Sequence, residues 1–334
     1  MEKLPSQKKE SGVSRVVGFE SGHESELLDY FKNRFESNFP DQGIEKEKTP
    51  EEENMIVRMN DAMQEFLNRY AVEAIEIPSN NIHILDQAKI SPEELLDIQK
   101  RFGTENGFYS ARKQGVAILK EYKEGKKLSF LQTLAHEMLH LEGFYSYQKS
   151  SPEAADFSLR KGLAHVNVNI RRSGFSIGTR NGERLLFNNL DEAVITELAI
   201  RFERVYFDQW PELEAELRAR DEYVRHVAER DRVPAEKMRE EVARLKGDAS
   251  SGYEGVRYSY PEARAKFNSL VDKLYEKNKS EYTSREQIFD LFVKATMTGK
   301  LLPVARLIEK TFGKGSFRMI GERSADKPNS DVSI

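Results

Sequence analysis

The feature that most constrains this 334-residue chain is the pentad His136-Glu137-Met138-Leu139-His140. An H-E-x-x-H pattern has chemical meaning in one backbone conformation, the α-helix. Two histidines four apart then lie about 40° apart around the axis and one turn up, so both imidazoles can reach one ion. The glutamate beside the first histidine points to the same side and can hold a metal-activated water as general base. The flanks supply helical signals. Ser129 with Gln132 reads as a capping box, and Gly143 stands where a helix-ending glycine belongs. Thr133, His136, Glu137 and His140 form a polar stripe; Leu131, Leu134, Ala135, Met138 and Leu141 form an apolar one. A helix over 129–142 is expected, clamped by its apolar side as a preorganised metal site requires.

Composition narrows the chemistry further. Lys plus Arg number 52 against 56 Asp plus Glu, a net charge of −4. No global basic field exists for counterion release, so nucleic acid is not an expected partner. No apolar run approaches the roughly 20 residues needed to span a bilayer, so a membrane is not expected either. The first 20 residues are charged throughout and lack the apolar stretch of a secretory signal, which points to a cytoplasmic protein. Cysteine is absent, which removes disulfides, thiolate catalysis and Cys-ligated zinc. Metal or acid–base chemistry must come from His, Asp and Glu.

Along the chain, residues 1–50 read as a largely disordered lead, too polar and charged to offset ordering entropy. A short helix around Glu24–Phe35 is the exception, with Leu27, Leu28, Phe31 and Phe35 at helical spacing. Pro50 followed by three glutamates opens a helix over 51–72. Asn81–Leu85 is a candidate strand, Ser91–Arg101 a candidate helix, and Phe108–Ala111 with Val116–Tyr122 a candidate hairpin. Three more strand-like runs follow at 163–171, 175–180 and 183–187, the last two joined by Asn181-Gly182. Helices are expected over 190–206, 260–277 and 284–297. Pro211–Lys246 reads as two charged, solvated helices forming an appended arm, and Gly247–Gly255 as a hinge. On that reading 211–246 can be removed with the metal site intact. Lys310–Lys314 has no phosphate-loop pattern and reads as a helix end with its capping glycine. His23, His83 and His226 lack a partner at ligand spacing and read as ordinary surface or core residues.

A catalytic zinc wants three protein ligands and one open position. Gly143 continues the pentad toward the metzincin pattern, but the position for its last ligand holds Ser146. Asp191-Glu192-Ala193, 52 positions beyond His140, offers a carboxylate instead. Here the chain resembles the gluzincin metallopeptidases, whose downstream helix carries an N-E-A-like segment. The resemblance covers 81–205. It implies zinc held by His136, His140 and Glu192, with Glu137 as general base. Thr196 stands where the thermolysin-like members carry an acid that orients a histidine, with Glu197 one later. Helical angles favour Glu192 over the other nearby acids. Glu142 lies about 200° around the helix from His140, and Glu197 about 140° from Glu192. The resemblance also implies that the strand before the pentad helix is a sheet edge binding extended substrate, which assigns Val116, Ile118 and Lys120 to substrate. An oxyanion donor is expected among Tyr, His or Arg. Tyr145, Tyr147 and His165 are nearest in sequence, and nothing selects among them.

The expected fold class is therefore α+β and helix-rich. A small mixed sheet accompanies the H-E-x-x-H helix, a following glutamate helix and C-terminal helices. The expected division is a lead at 1–50, a zincin-like catalytic domain at 51–206, an arm and hinge at 207–255, a C-terminal helical part at 256–322 packed on the catalytic domain, and a disordered tail at 323–334. The expected function is a zinc-dependent peptidase acting on a peptide or protein, its oligomeric state open. The alternatives are a non-catalytic zinc-binding scaffold and an interaction protein.

Overall fold

The computed structural model describes residues 13–17, 21–36, 44–93, 95–96, 106–152, 155–161, 164–179, 184–248 and 252–324. Most of the expected helix at 91–101, the Asn181-Gly182 turn and residues 325–334 lie outside these. The described chain is α+β and helix-rich. It holds no helix long and apolar enough to cross a membrane.

Helices form where apolar residues recur at helical spacing. Helix α1 spans Ser21–Glu36 and α2 spans Pro50–Asn68. At the start of α2, Thr49 accepts from the Glu52 amide while the Glu52 carboxylate accepts from the Thr49 amide. That reciprocal cap agrees with the start read from Pro50 and its glutamates. Helix α3, Lys127–Glu142, carries the pentad, and α4, Asn188–Tyr206, carries Glu192. Then come α5 (Glu214–Asp231), α6 (Ala235–Glu241), α7 (Pro261–Lys277), α8 (Arg285–Thr298), α9 (Leu302–Phe312) and α10 (Ser316–Arg323). Gly313 caps α9, in line with the reading of Lys310–Lys314.

The described strands make three sheets. In the largest, β1 (Val13–Val17), β5 (Tyr145–Lys149), β7 (Ala164–Ser173), β8 (Ser176–Gly178) and β9 (Leu185–Leu186) run in that order, and β6 (Phe157–Lys161) also pairs β7. A second sheet places β4 (Gly115–Ile118) between β2 (Ile82–Ile84), which is parallel to it, and β3 (Gly107–Ser110), which is antiparallel. Here the expectation for Val116–Tyr122 needs correction. The strand before the pentad helix is central, its backbone paired on both sides, and Val116 and Ile118 are wholly buried. They cannot receive a peptide. The outer strands of this sheet, among the described residues, are β2 and β3.

The described part of the lead packs on the body, where its composition suggests a solvated segment. Val16, Leu27 and Phe31 pack against Tyr145, Tyr147 and Val168, and Phe31 stacks on Tyr147 at 4.2 Å. These few large side chains find a preformed apolar face, so average polarity is a poor guide there.

The charged arm is the larger correction. Trp210, Leu213 and Leu217 belong to the same apolar core as α2, α3, α4, α7 and α8. Arg220 forms a buried ion pair with Glu203 of α4. The expected capping box of the pentad helix does not form. Glu216 of α5 instead accepts from the Lys127 amide at 2.9 Å, satisfying an orphan donor from another part of the chain. The second arm helix stops at Glu241, and the described residues of the expected hinge belong to paired strands, β10 (Val242–Asp248) with β11 (Gly252–Arg257). Val242 and Ala243 are buried against the body. Excising 211–246 is therefore expected to abolish cooperative unfolding, which a thermal melt reads directly. The milder Leu213→Ala should cost about 2–5 kcal/mol; an unchanged melting transition after either change would return the segment to the surface.

Candidate metal centre

The ligand-bearing faces follow from the burial of the opposite ones. Leu131, Leu134, Ala135, Met138 and Leu141 hold α3 in the core, and Ile195, Leu198 and Phe202 hold α4. The two helices pack together, which brings the pentad to the first turn of α4. His140 Nε2 lies 3.3 Å and His136 Nε2 3.5 Å from Glu192 Oε2. All three donor atoms fall within 4.8 Å of one another. An ion bound at about 2.0–2.1 Å by tetrahedral nitrogen and oxygen ligands separates those ligands by roughly 3.4 Å. The donor set and its spacing thus fit a zinc-sized cation.

The electrostatics of the cluster favour the same arrangement. Burial would raise the Glu192 pKa, but the charges and hydrogen bonds of His140 and His136 hold it well below the ordinary carboxylate value. Burial would lower that of His140, but Glu192 and then Asp191 push it up to about 9. Glu192 and His140 form a compact charge-compensated pair, and a bound cation can replace the His140 proton as partner of Glu192. Glu137 behaves differently. Burial raises its pKa above the ordinary value, against the lowering effects of both histidines and of the Tyr109 amide. A carboxylate that holds its proton more readily is a better proton acceptor.

Several neighbours were not legible in the sequence. Asp191 accepts from the Phe175 amide at 2.6 Å and faces His140 Nδ1 at 3.9 Å. Thr196, the position that the resemblance gives to an orienting acid, is buried on the same helix. Room for Asp191 depends on Gly174, at φ +55°, where a Cβ would meet Asp191 Oδ1 at 2.4 Å. The Tyr109 ring stacks on His140 at 4.5 Å, its hydroxyl 3.0 Å from Ser173 Oγ. Tyr260 lies nearly parallel to His136 at 6.4 Å, near enough for the charge of Glu192 to bear on its phenol. Partial burial and the charges of Glu192 and Glu137 raise its pKa. Its backbone is left-handed, φ 54°, a conformation that costs a tyrosine about 1–3 kcal/mol and so marks a held position. The Tyr-Pro pair at a helix start was visible, but nothing local links it to a pentad 120 positions away.

The other candidates are elsewhere. Glu142 accepts the Ile75 amide with both oxygens, on the far side of α3. Glu197 binds Arg264 and Asn268 of α7. Tyr145 donates to the His140 carbonyl and Tyr147 to the Ala111 carbonyl, both buried. His165 and His226 are exposed, and His83 pairs with Glu45 at 2.8 Å. Lys120 directs its amine to Ser129 Oγ at 2.6 Å. Compared with protein-family models, curated proteins and solved structures, the chain has no match in any of the three.

Proposed function

We propose that this chain is a zinc-dependent peptidase of gluzincin type, with His136, His140 and Glu192 as the residues that would hold the metal. The observation that carries the proposal is the convergence of three donor atoms within 4.8 Å of one another, both histidines lying 3.3–3.5 Å from Glu192, with the buried carboxylate of Glu137 on the same helix face. A purely structural metal site has no use for that carboxylate, which weighs against the scaffold alternative. When bound, zinc supplies a Lewis acid that polarises the scissile carbonyl and lowers the pKa of a water toward about 7.

The protein's own groups account for the remaining steps. Glu137 accepts a proton from the attacking water as the carbon–oxygen bond forms. It then delivers that proton to the amine nitrogen as the carbon–nitrogen bond breaks. Asp191 keeps the His140 ring oriented. Tyr260, through its hydroxyl, donates to the carbonyl oxygen as negative charge develops there. β3, an outer strand packed against the pentad helix, is the strand along which an extended peptide can lie, the role expected of β4.

Metal analysis of the purified protein, paired with cleavage of a mixed peptide library, tests the reading. Retained zinc with cleavage supports it, zinc without cleavage indicates a scaffold, and absence of metal an interaction protein. Tyr260→Phe should lower kcat by about 10²–10³-fold with KM and zinc content nearly unchanged. A kcat equal to that of the parent would remove Tyr260 from the mechanism.

A further inference from the structure

One face of α3 runs from His136 back to Ser129. Seven residues advance a helix by about 10 Å and return to within about 20° of the same direction. Lys120, half-buried two residues beyond β4, donates its amine to Ser129 Oγ at 2.6 Å and approaches the Ser129 carbonyl at 3.5 Å. The hairpin crosses the same helix: the Ala243 carbonyl accepts from Gln132 Nε2 at 2.8 Å. The next residue is Arg244, half-buried, whose charge bears directly on Lys120. At its other end the hairpin leads through Tyr258 to Tyr260 at the metal centre. The helix face is thus flanked by Lys120 and by the β10–β11 segment.

These two cations have no carboxylate of their own. Among the described residues neither forms an ion pair. Glu203 is the acid whose charge reaches Arg244, yet its oxygens already accept from Arg220, Gln132 and Tyr258. Desolvated positive charge without a partner is costly. Burial, reinforced by Arg244, accordingly pulls the Lys120 pKa down to about 7.

Resting on the peptidase reading, we infer that Lys120 and Arg244 form an anion subsite that takes a carboxylate of the bound peptide about 10 Å along α3 from His136. At about 3.3–3.4 Å per extended residue, that distance places the carboxylate roughly three residues from the scissile bond. The carboxylate can belong to an acidic side chain or to the chain terminus. Both present the same two oxygens to the cations.

The test uses the full chain carrying Glu137→Gln and loaded with zinc, so that peptides stay whole. Three dansyl-labelled alanine octapeptides serve as probes: one with a central Glu and an amidated end, one with no Glu and a free C-terminal carboxylate, and one with neither. One or both carboxylate peptides should bind about ten- to a hundred-fold more tightly than the neutral one, in keeping with a charged hydrogen bond, and their ranking identifies the source. Lys120→Met and Arg244→Gln should each remove most of that preference and leave neutral-peptide binding in place. Neutral-peptide binding also shows that the variants are folded. Equal binding of all three peptides, or a preference that survives both substitutions, overturns the subsite. Carboxylate preference without cleavage by the parent protein supports the subsite while refuting the peptidase. Cleavage without the preference does the reverse.

Discussion

Replacing Glu137 by Gln is expected to leave zinc bound and to reduce peptide turnover by about 10²–10⁴-fold. The amide keeps the volume and polarity of the side chain, so the packing of α3 is preserved. What it loses is the ability to take a proton from water and return it to the amine. The buried site already disfavours the charged form of Glu137, so the substitution should not lower thermal stability. Zinc content and turnover measured on one preparation separate the two effects. Near-parental turnover at full zinc occupancy would assign the base to another residue.

Glu192→Ala and Glu197→Ala should diverge sharply. The first removes the oxygen on which both histidines converge. A lost ligand costs at least about 10–100-fold in metal affinity, so zinc should leave under mild chelation. Without Glu192, His140 also loses the main influence raising its pKa against burial, so that pKa should fall from about 9. The second substitution breaks contacts to Arg264 and Asn268, which join α4 to α7. It should lower the melting temperature and leave zinc in place. A zinc titration giving the opposite order would move the ligand to Glu197 and end the likeness to the gluzincin pattern.

Helical periodicity made the site partly legible before any tertiary contact was known. The stripe through Leu131, Leu134 and Met138 anticipates which way His136 and His140 face. The same angular reasoning set Glu142 aside, in agreement with its contact to the Ile75 amide. Tertiary choices were not legible. Whether β4 is an edge or a centre depends on β2, more than thirty residues earlier, which no local pattern reports. Val242–Lys246 has a composition that suits a solvated helix, yet its first two residues are buried and its backbone pairs with β11. The cap of α3 comes from Glu216 and the phenol at the metal centre from Tyr260. Both are local features of their own segments that acquire meaning through packing.

The sharing of one core by α4, α7 and α8 bears on the order in which the protein comes into being. A ribosome-bound chain that has just released residue 206 already owns His136, Glu137, His140 and Glu192. It lacks Phe267, Val271, Phe289 and Phe292, which bury the sides of those helices in the finished molecule. At about 5–20 residues per second, nearly a hundred further residues take roughly 5–20 s to arrive. During that interval the ligands exist as a list of residues without a frame to hold their spacing. The three-atom geometry is thus expected to belong to the completed chain, formed once the C-terminal helices have docked.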